Sequence, residues 1–156
     1  MSDDIGRELP PDLFNALWYE DVTVERGRAI LIITADENGW PHPALLSFRE
    51  VGARDPNTIR VVTYNGSTTT RNMRENGKLT IVFVDERFTY YVKGTAKEIP
   101  AHLTGTGEYF ATMDVRITQI LKDFTGSDEE GAYIISGITF HNPWPTGGRP
   151  AQTQQP

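Results

Sequence analysis

The chain contains no cysteine. Disulfides, thiolate nucleophiles, thiolate zinc sites and iron–sulfur clusters are thereby excluded together. Basic runs are also missing: 15 Lys plus Arg stand against 21 Asp plus Glu, and no stretch of cations is long enough to follow a nucleic-acid backbone. Nucleic acid is therefore not an expected partner. No apolar run approaches membrane-spanning length, and the opening MSDDIGRELPPD is acidic where a secretory signal needs a basic start and an apolar core. The expectation is a soluble, cytoplasmic protein without a membrane partner. The three histidines, His42, His102 and His141, lie far apart without metal-ligand spacing, so no metal site is assigned. The Gly-x-Ser-x-Gly elbow, the Walker loop and the Rossmann glycine fingerprint are absent, and the carboxylates show no pairing that acid–base work requires. No catalytic side-chain set emerges.

What is present is a succession of short β-prone segments in a 156-residue chain, a length that suits one domain. Leu13, Phe14, Leu17 and Trp18 share one face of a short helix that starts at paired prolines. Strands are expected over 29–34 and 43–51, joined by a hairpin turn at Asn38-Gly39, with 52–57 as a loop. Further strands follow over 58–64, 79–84 and 88–99, the last bent or bulged at Gly94. Within it Tyr90 and Tyr91 face opposite sides, one toward the core. Phe110, Met113, Ile117, Ile120, Leu121 and Phe124 recur at three and four residues, which predicts a core-packed helix. A last strand is expected over 132–140. Residues 142–156 are rich in Pro, Gly and Gln and predict a mobile tail, with Trp144 able to dock, so the domain runs 1–141. The pattern is mainly β (α+β): six strands with short flanking helices point to a small, closed or nearly closed antiparallel barrel.

The most informative stretch is TYNGSTTTRNMREN, from Thr63 to Asn76. A strand stops at Asn65-Gly66, and a short helix opens on Ser67, Thr68, Thr69 and Thr70, ending at Asn76-Gly77. Helix N-termini present unpaired N–H groups and the positive end of the macrodipole, so hydroxyls there together with Arg71 suit a phosphate. The same residues also fit an ordinary Ser67 N-cap followed by solvated threonines.

The order Gly39-Trp40-Pro41-His42, Pro43-Ala44-Leu45-Leu46-Ser47-Phe48, Val61-Val62-Thr63-Tyr64-Asn65-Gly66-Ser67, then Arg71-Asn72 and Asn76-Gly77, resembles the pyridoxamine 5′-phosphate oxidase-like, FMN-binding split-barrel family over about residues 29–99. That resemblance implies a six-stranded antiparallel split β-barrel with short flanking helices and an FMN cofactor held at a homodimer interface. Ser67, Thr68, Thr69 and Arg71 would meet its phosphate. Ala44, Leu46, Ser47, Thr63 and Tyr64 would line the ribityl chain and ring, and Thr89 would approach the ring. The family's oxidases carry a basic pair where this chain has Thr68 and Thr69, and their Arg- and His-bearing carboxy-terminal motif has no counterpart in GITFHNPWPTGGRP. The functions implied are an FMN-dependent oxidoreductase of unknown substrate, a non-catalytic flavin-binding or sequestering module, or a dimeric barrel without cofactor. Deazaflavin or haem in the same cleft stays open.

Overall fold

The structure is a computed structural model and describes residues 1–18, 27–125 and 127–141. Its described elements run β1 (Ser2–Asp4), α1 (Pro11–Leu17), β2 (Ala29–Ala35), β3 (Pro41–Ser47), β4 (Val51–Asp55), β5 (Thr58–Tyr64), α2 (Thr68–Glu75), β6 (Lys78–Val84), β7 (Thr89–Ile99), α3 (Ala101–Thr104) and β8 (Phe110–Asp123). One antiparallel sheet of eight strands takes the order β3-β2-β6-β7-β8-β5-β4, with β1 added on β8. β3 and β4 end the order and do not pair with each other, which leaves the barrel split.

Alternation of side chains builds the core. Ile30 and Ile32 of β2, Leu79, Ile81 and Phe83 of β6, Tyr90 and Val92 of β7, and Ile59 and Val61 of β5 point inward, and Leu13 and Leu17 of α1 plug the interior. Tyr90 is the inward member of its pair and donates from its hydroxyl to Asp12, while Tyr91 donates to Asp123 at 2.6 Å. The β2–β3 hairpin forms as the sequence indicates. Gly39 takes φ +82°, and the Asp36 carboxylate accepts from the backbone N–H groups of Asn38 and Trp40.

Four expectations are corrected. Residues 110–124 are not a helix but the long strand β8, paired to β7 on one side and β5 on the other. Its inward residues Ala111, Met113, Val115 and Ile117 alternate, and then the register slips so that Gly94 faces Ile117 while Lys93 faces Gln119. Thr118 is the extra residue of a β-bulge, so the inward set resumes at Ile120, and the 113–117–120 spacing imitates a helix. Residues 132–140 form no strand of the sheet. They cross its end through an isolated bridge of Arg28 with Thr139 and the bond from Ala29 N–H to the Ile138 carbonyl. Segment 52–57 is largely strand β4, whose Ala53 and Val51 are buried against β5. The strand count among the described residues is eight rather than six, since β1 and β4 add to the expected set and β8 replaces the last strand. The tail 142–156 and its Trp144 lie outside the described residues.

Candidate functional site

α2 closes the end of the barrel toward which Thr34 and Ala35 of β2 point. Its Asn72 donates to the Thr34 hydroxyl at 3.0 Å, and Asn76 donates to the Ala35 carbonyl at 2.9 Å. Asn72 is buried, and its side-chain oxygen is the buried side-chain polar atom that finds no partner among the described residues. The helix begins because Ser67 is an N-cap in extended conformation whose Oγ accepts from Thr70 N–H at 3.2 Å. It stops because Gly77 takes φ +73° against the Ala96 carbonyl.

The cap has a consequence for donors. Ser67 serves the third helical N–H, that of Thr70, and its carbonyl accepts from Arg71 N–H. The N–H groups of Thr68 and Thr69 make no hydrogen bond among the described residues; Thr68 is half-buried and Thr69 is buried. Beneath them the Thr70 hydroxyl donates to the Tyr64 carbonyl at 2.7 Å and contacts the Thr63 hydroxyl at 2.6 Å. Thr63 is thus buried and occupied in fastening β5 to α2.

Two arginines stand on this helix, and the fold treats them differently. Arg74 makes a two-pronged pair with Glu98 of β7, at 2.6 and 2.8 Å, and donates at 2.6 Å to the Asn65 side chain. The bond to Glu98 pushes the Arg74 guanidinium up and, from the other side, holds the Glu98 carboxyl below its ordinary range. Asn65 in turn donates its side-chain N–H to the Glu108 carbonyl and its backbone N–H to that of Tyr109. Arg74 is therefore committed to bracing two loops. Arg71 is exposed and makes no ion pair or hydrogen bond through its side chain among the described residues. One uncommitted cation and two uncommitted N–H groups meet on the first turn, a donor set that fits a phosphate dianion.

The other expected residues fall into two further groups. Ala44 and Leu46 of β3 turn their side chains toward the core, so what they offer outward is the backbone of an edge strand. Ser47 ends β3, and its hydroxyl and N–H both donate to Glu50. Thr89 begins β7. Ser47 pairs with Ala29, Leu31 with Val82, and Val84 with Thr89, so Ser47 and Thr89 both lie two residues beyond the Leu31–Val82 pair. That end of the sheet is opposite the one α2 covers. From His42, which pairs with Thr34 beside α2, to Ser47 the β3 edge runs about 17 Å at about 3.4 Å per residue. Thr63, Tyr64, Ser67, Thr68, Thr69 and Arg71 are brought together; Thr89 is separated from them by the length of the strands. Thr89 lines instead a cleft of about 710 Å³ with Tyr91, Lys122 and Tyr133.

Sequence reasoning missed Asn65 and Arg74, which orient the loop, and Phe110, whose ring stacks on the exposed Tyr64 at 5.2 Å. Asn65 had been visible only as half of a turn signal, and Phe110 was hidden by the helix reading of β8.

The profile of the family described as pyridoxamine 5′-phosphate oxidase matches residues 21–132. The uncharacterized protein YclD of Bacillus subtilis (strain 168) is 28% identical over 88 residues, a match that spans 56% of this chain and 57% of that protein. Among solved structures, a candidate pyridoxamine 5′-phosphate oxidase from Lactobacillus delbrueckii superposes with a TM-score of 0.60 at 12% identity, over 75% of this chain and 97% of the other. An FMN-binding protein from Syntrophomonas wolfei gives 0.52 at 15% identity, over 72% and 85%. Likeness at these identities carries the fold.

Proposed function

The chain belongs to the pyridoxamine 5′-phosphate oxidase family, and from that premise we propose that it is an FMN-binding flavoprotein and a flavin-dependent oxidoreductase. The observation that carries the reading is the first turn of α2, where the Thr68 and Thr69 N–H groups and the Arg71 side chain are uncommitted among the described residues. In this reading they hold the FMN phosphate, with the Thr68 hydroxyl beside them. The β3 edge from His42 to Ser47 presents backbone donors and acceptors along the length an extended ribityl chain and ring require. Tyr64 flanks the phosphate end, and Thr89 lies level with Ser47 at the ring end. When bound, FMN supplies hydride and electron transfer, and the protein supplies binding, orientation and exclusion of water.

The same reading includes a homodimer. Leu45, Leu31, Val82, Tyr91 and Leu121 form one cross-strand row on the outer face of the sheet, and Leu45 is 59% exposed. An apolar row of that kind on a sheet's outer face suits burial against a second copy. Light scattering coupled to size exclusion tests it: a monomer at micromolar concentration with FMN in excess refutes the shared site.

Titration with FMN, followed by quenching of flavin fluorescence, tests the phosphate assignment, with riboflavin as the control that lacks phosphate. Arg71→Ala removes a charge-assisted bond of about 1.5–3 kcal/mol, a loss of about ten- to a hundred-fold for FMN and little for riboflavin. Thr68→Lys, at the half-exposed first position of the turn, tightens FMN and steepens its salt dependence. Equal loss for both ligands, or none for either, overturns the site. A second reading, a flavin-binding module without turnover, is favoured by the single uncommitted cation on a turn that is doubly basic in the oxidases the sequence resembles. Bleaching of the yellow holoprotein by a reduced nicotinamide separates the two: bleaching supports the oxidoreductase, and an unbleached flavin supports the module.

A further inference from the structure

The sequence carries a formal net charge of −6, yet one face of the sheet collects cations. Lys78 of β6 pairs with Thr95 of β7, and Thr95 pairs with Arg116 of β8, which sets Lys78 and Arg116 on either side of Thr95 in one row. Lys93 and Lys97 lie two residues before and after Thr95 on the same face. All four cations are exposed, and their side chains make no ion pair or hydrogen bond among the described residues. Neighbouring carboxylates are largely spent elsewhere. Asp114 is held by Arg60 at 2.7 and 3.0 Å, and Glu98 by Arg74. Asp4 feels the charge of Lys93, but its hydrogen bonds are to Gln119 and Gly6.

The cluster is compact. Strands lie about 4.8 Å apart and alternate residues about 6.8 Å apart, so the four cations span roughly 10 by 14 Å, the extent of two or three linked phosphates and too little for a nucleic-acid duplex or a membrane. Beside it lies a cleft of about 410 Å³ that Lys78, Lys93 and Thr95 also line. Ile33, Pro41 and Leu79 give that cleft an apolar floor, and no carboxylate lines it. Its volume falls within the range of small-molecule sites. The Thr80 and Thr95 hydroxyls at its wall make no hydrogen bond among the described residues and are able to donate to an anion.

We propose that the part of this outer face that carries Lys78, Thr95 and Arg116, beyond the Leu31–Val82–Tyr91 row assigned above to a second copy, is a binding site for a polyphosphate ester of nucleotide size, its phosphates on Lys78, Lys93, Lys97 and Arg116 and its ring in the adjoining cleft. The site is separate from the first turn of α2 and stands whether or not FMN binds there. Calorimetric titration with inorganic triphosphate, ATP and adenosine, without added metal, tests it. Triphosphate binds, ATP binds more tightly because the cleft takes the base, and adenosine binds weakly. Lys78→Gln and Lys93→Gln each weaken triphosphate by about two- to five-fold, as exposed charge pairs do, and together by about ten-fold. Arg54→Gln, which removes an equal charge from β4, leaves binding unchanged, and the lysine losses persist in Arg71→Ala protein. Absence of triphosphate binding, equal loss in Arg54→Gln, or ATP no tighter than triphosphate overturns the proposal. So does a shift of oligomeric state in the lysine variants without triphosphate binding, which would assign the face to a second copy.

Discussion

Gly94 offers a direct test of how β7 and β8 meet. An ideal Cβ at this position would sit 2.5 Å from Val115 Cγ1, 2.7 Å from the Arg116 carbonyl oxygen and 3.3 Å from its carbon. Gly94 is not among the residues with positive φ, so the obstacle to alanine is space and not backbone strain. Neither neighbour moves freely. Val115 is fully buried with a branched side chain of restricted χ1, and Arg116 belongs to the ladder that pairs with Thr95. A methyl there needs about 1 Å of relief on two sides, which places Gly94→Ala at the upper end of overpacking costs, about 2–4 kcal/mol. For a chain of this length that corresponds to a Tm lower by about 5–15 °C. Thermal and urea unfolding followed by circular dichroism read it, with Cm lowered and the urea slope unchanged. Val115→Ala removes one of the two obstacles, so the double variant recovers part of the loss through a coupling of about 1 kcal/mol, while the Arg116 carbonyl keeps the rest. A Gly94→Ala protein that loses less than about 0.5 kcal/mol would show that the strands do not approach this closely at the bulge.

Three further outcomes are expected. Arg74→Gln costs only about 0.5–1 kcal/mol of stability, because Arg74 and Glu98 are each about 40% exposed, yet it speeds hydrogen exchange at the Asn65 amide that Arg74 helps hold against Tyr109. Burial alone would raise the Asp85 carboxyl, but the bonds and charge of Arg87, with the charge of Arg28, outweigh it and hold it below its usual value. Its contribution is thus present above about pH 4 and is lost as pH falls through the lower folded value, so acid unfolding of Asp85→Asn is flatter on that limb. Burial first, then the charge and hydrogen bond of Asp12, push Tyr90 up to about 12. The neutral phenol's contribution is complete below pH 10 and fades between about 10 and 12; Tyr91, raised by its hydrogen bond to Asp123, also titrates late in ultraviolet absorbance, and Tyr90→Phe removes one of the two late steps.

How much of the fold was legible depends on where its information lies. β2, β5, β6 and β7 announce themselves locally, through β-branched runs bounded by turn residues, and α2 announces both its ends. β8 does not. Its alternation is intact from Ala111 to Ile117, but one unpaired residue at Thr118 moves the phase, and a bulge is a relation between two strands that a single strand's periodicity does not contain. Gly94, expected as a bend or bulge in β7, was the visible trace of that relation, but the register shifts through an extra residue on β8, opposite it and 24 residues on. The crossing segment 132–140 failed for the opposite reason. It has strand composition, but the Ala29 N–H takes the Ile138 carbonyl and Gly137 rides against the Val84 carbonyl, so the chain passes over the sheet's end instead of pairing along it.

The site divides along the same line. That a helix begins at Ser67 with hydroxyls on its first turn is a local fact, and the two interpretations it invited are not rivals. Because the Ser67 hydroxyl caps the third N–H, the helix start is fixed, and because it caps no other, the Thr68 and Thr69 N–H groups are left without a partner among the described residues. An ordinary cap is thus what leaves the two N–H groups on which the proposed phosphate site draws. Which arginine completes it is not a local fact, since Arg71 and Arg74 are equivalent in sequence and only the pairing of Arg74 with Glu98, 24 residues on, leaves Arg71 as the one without a bond among the described residues. Glu98→Gln would release Arg74 while leaving Asn65 as its remaining anchor. A phosphate site that then gained a second cation would bind FMN more tightly, opposite to the loss expected of Arg71→Ala, and the sign of that change reports whether the division of labour between the two arginines governs the affinity.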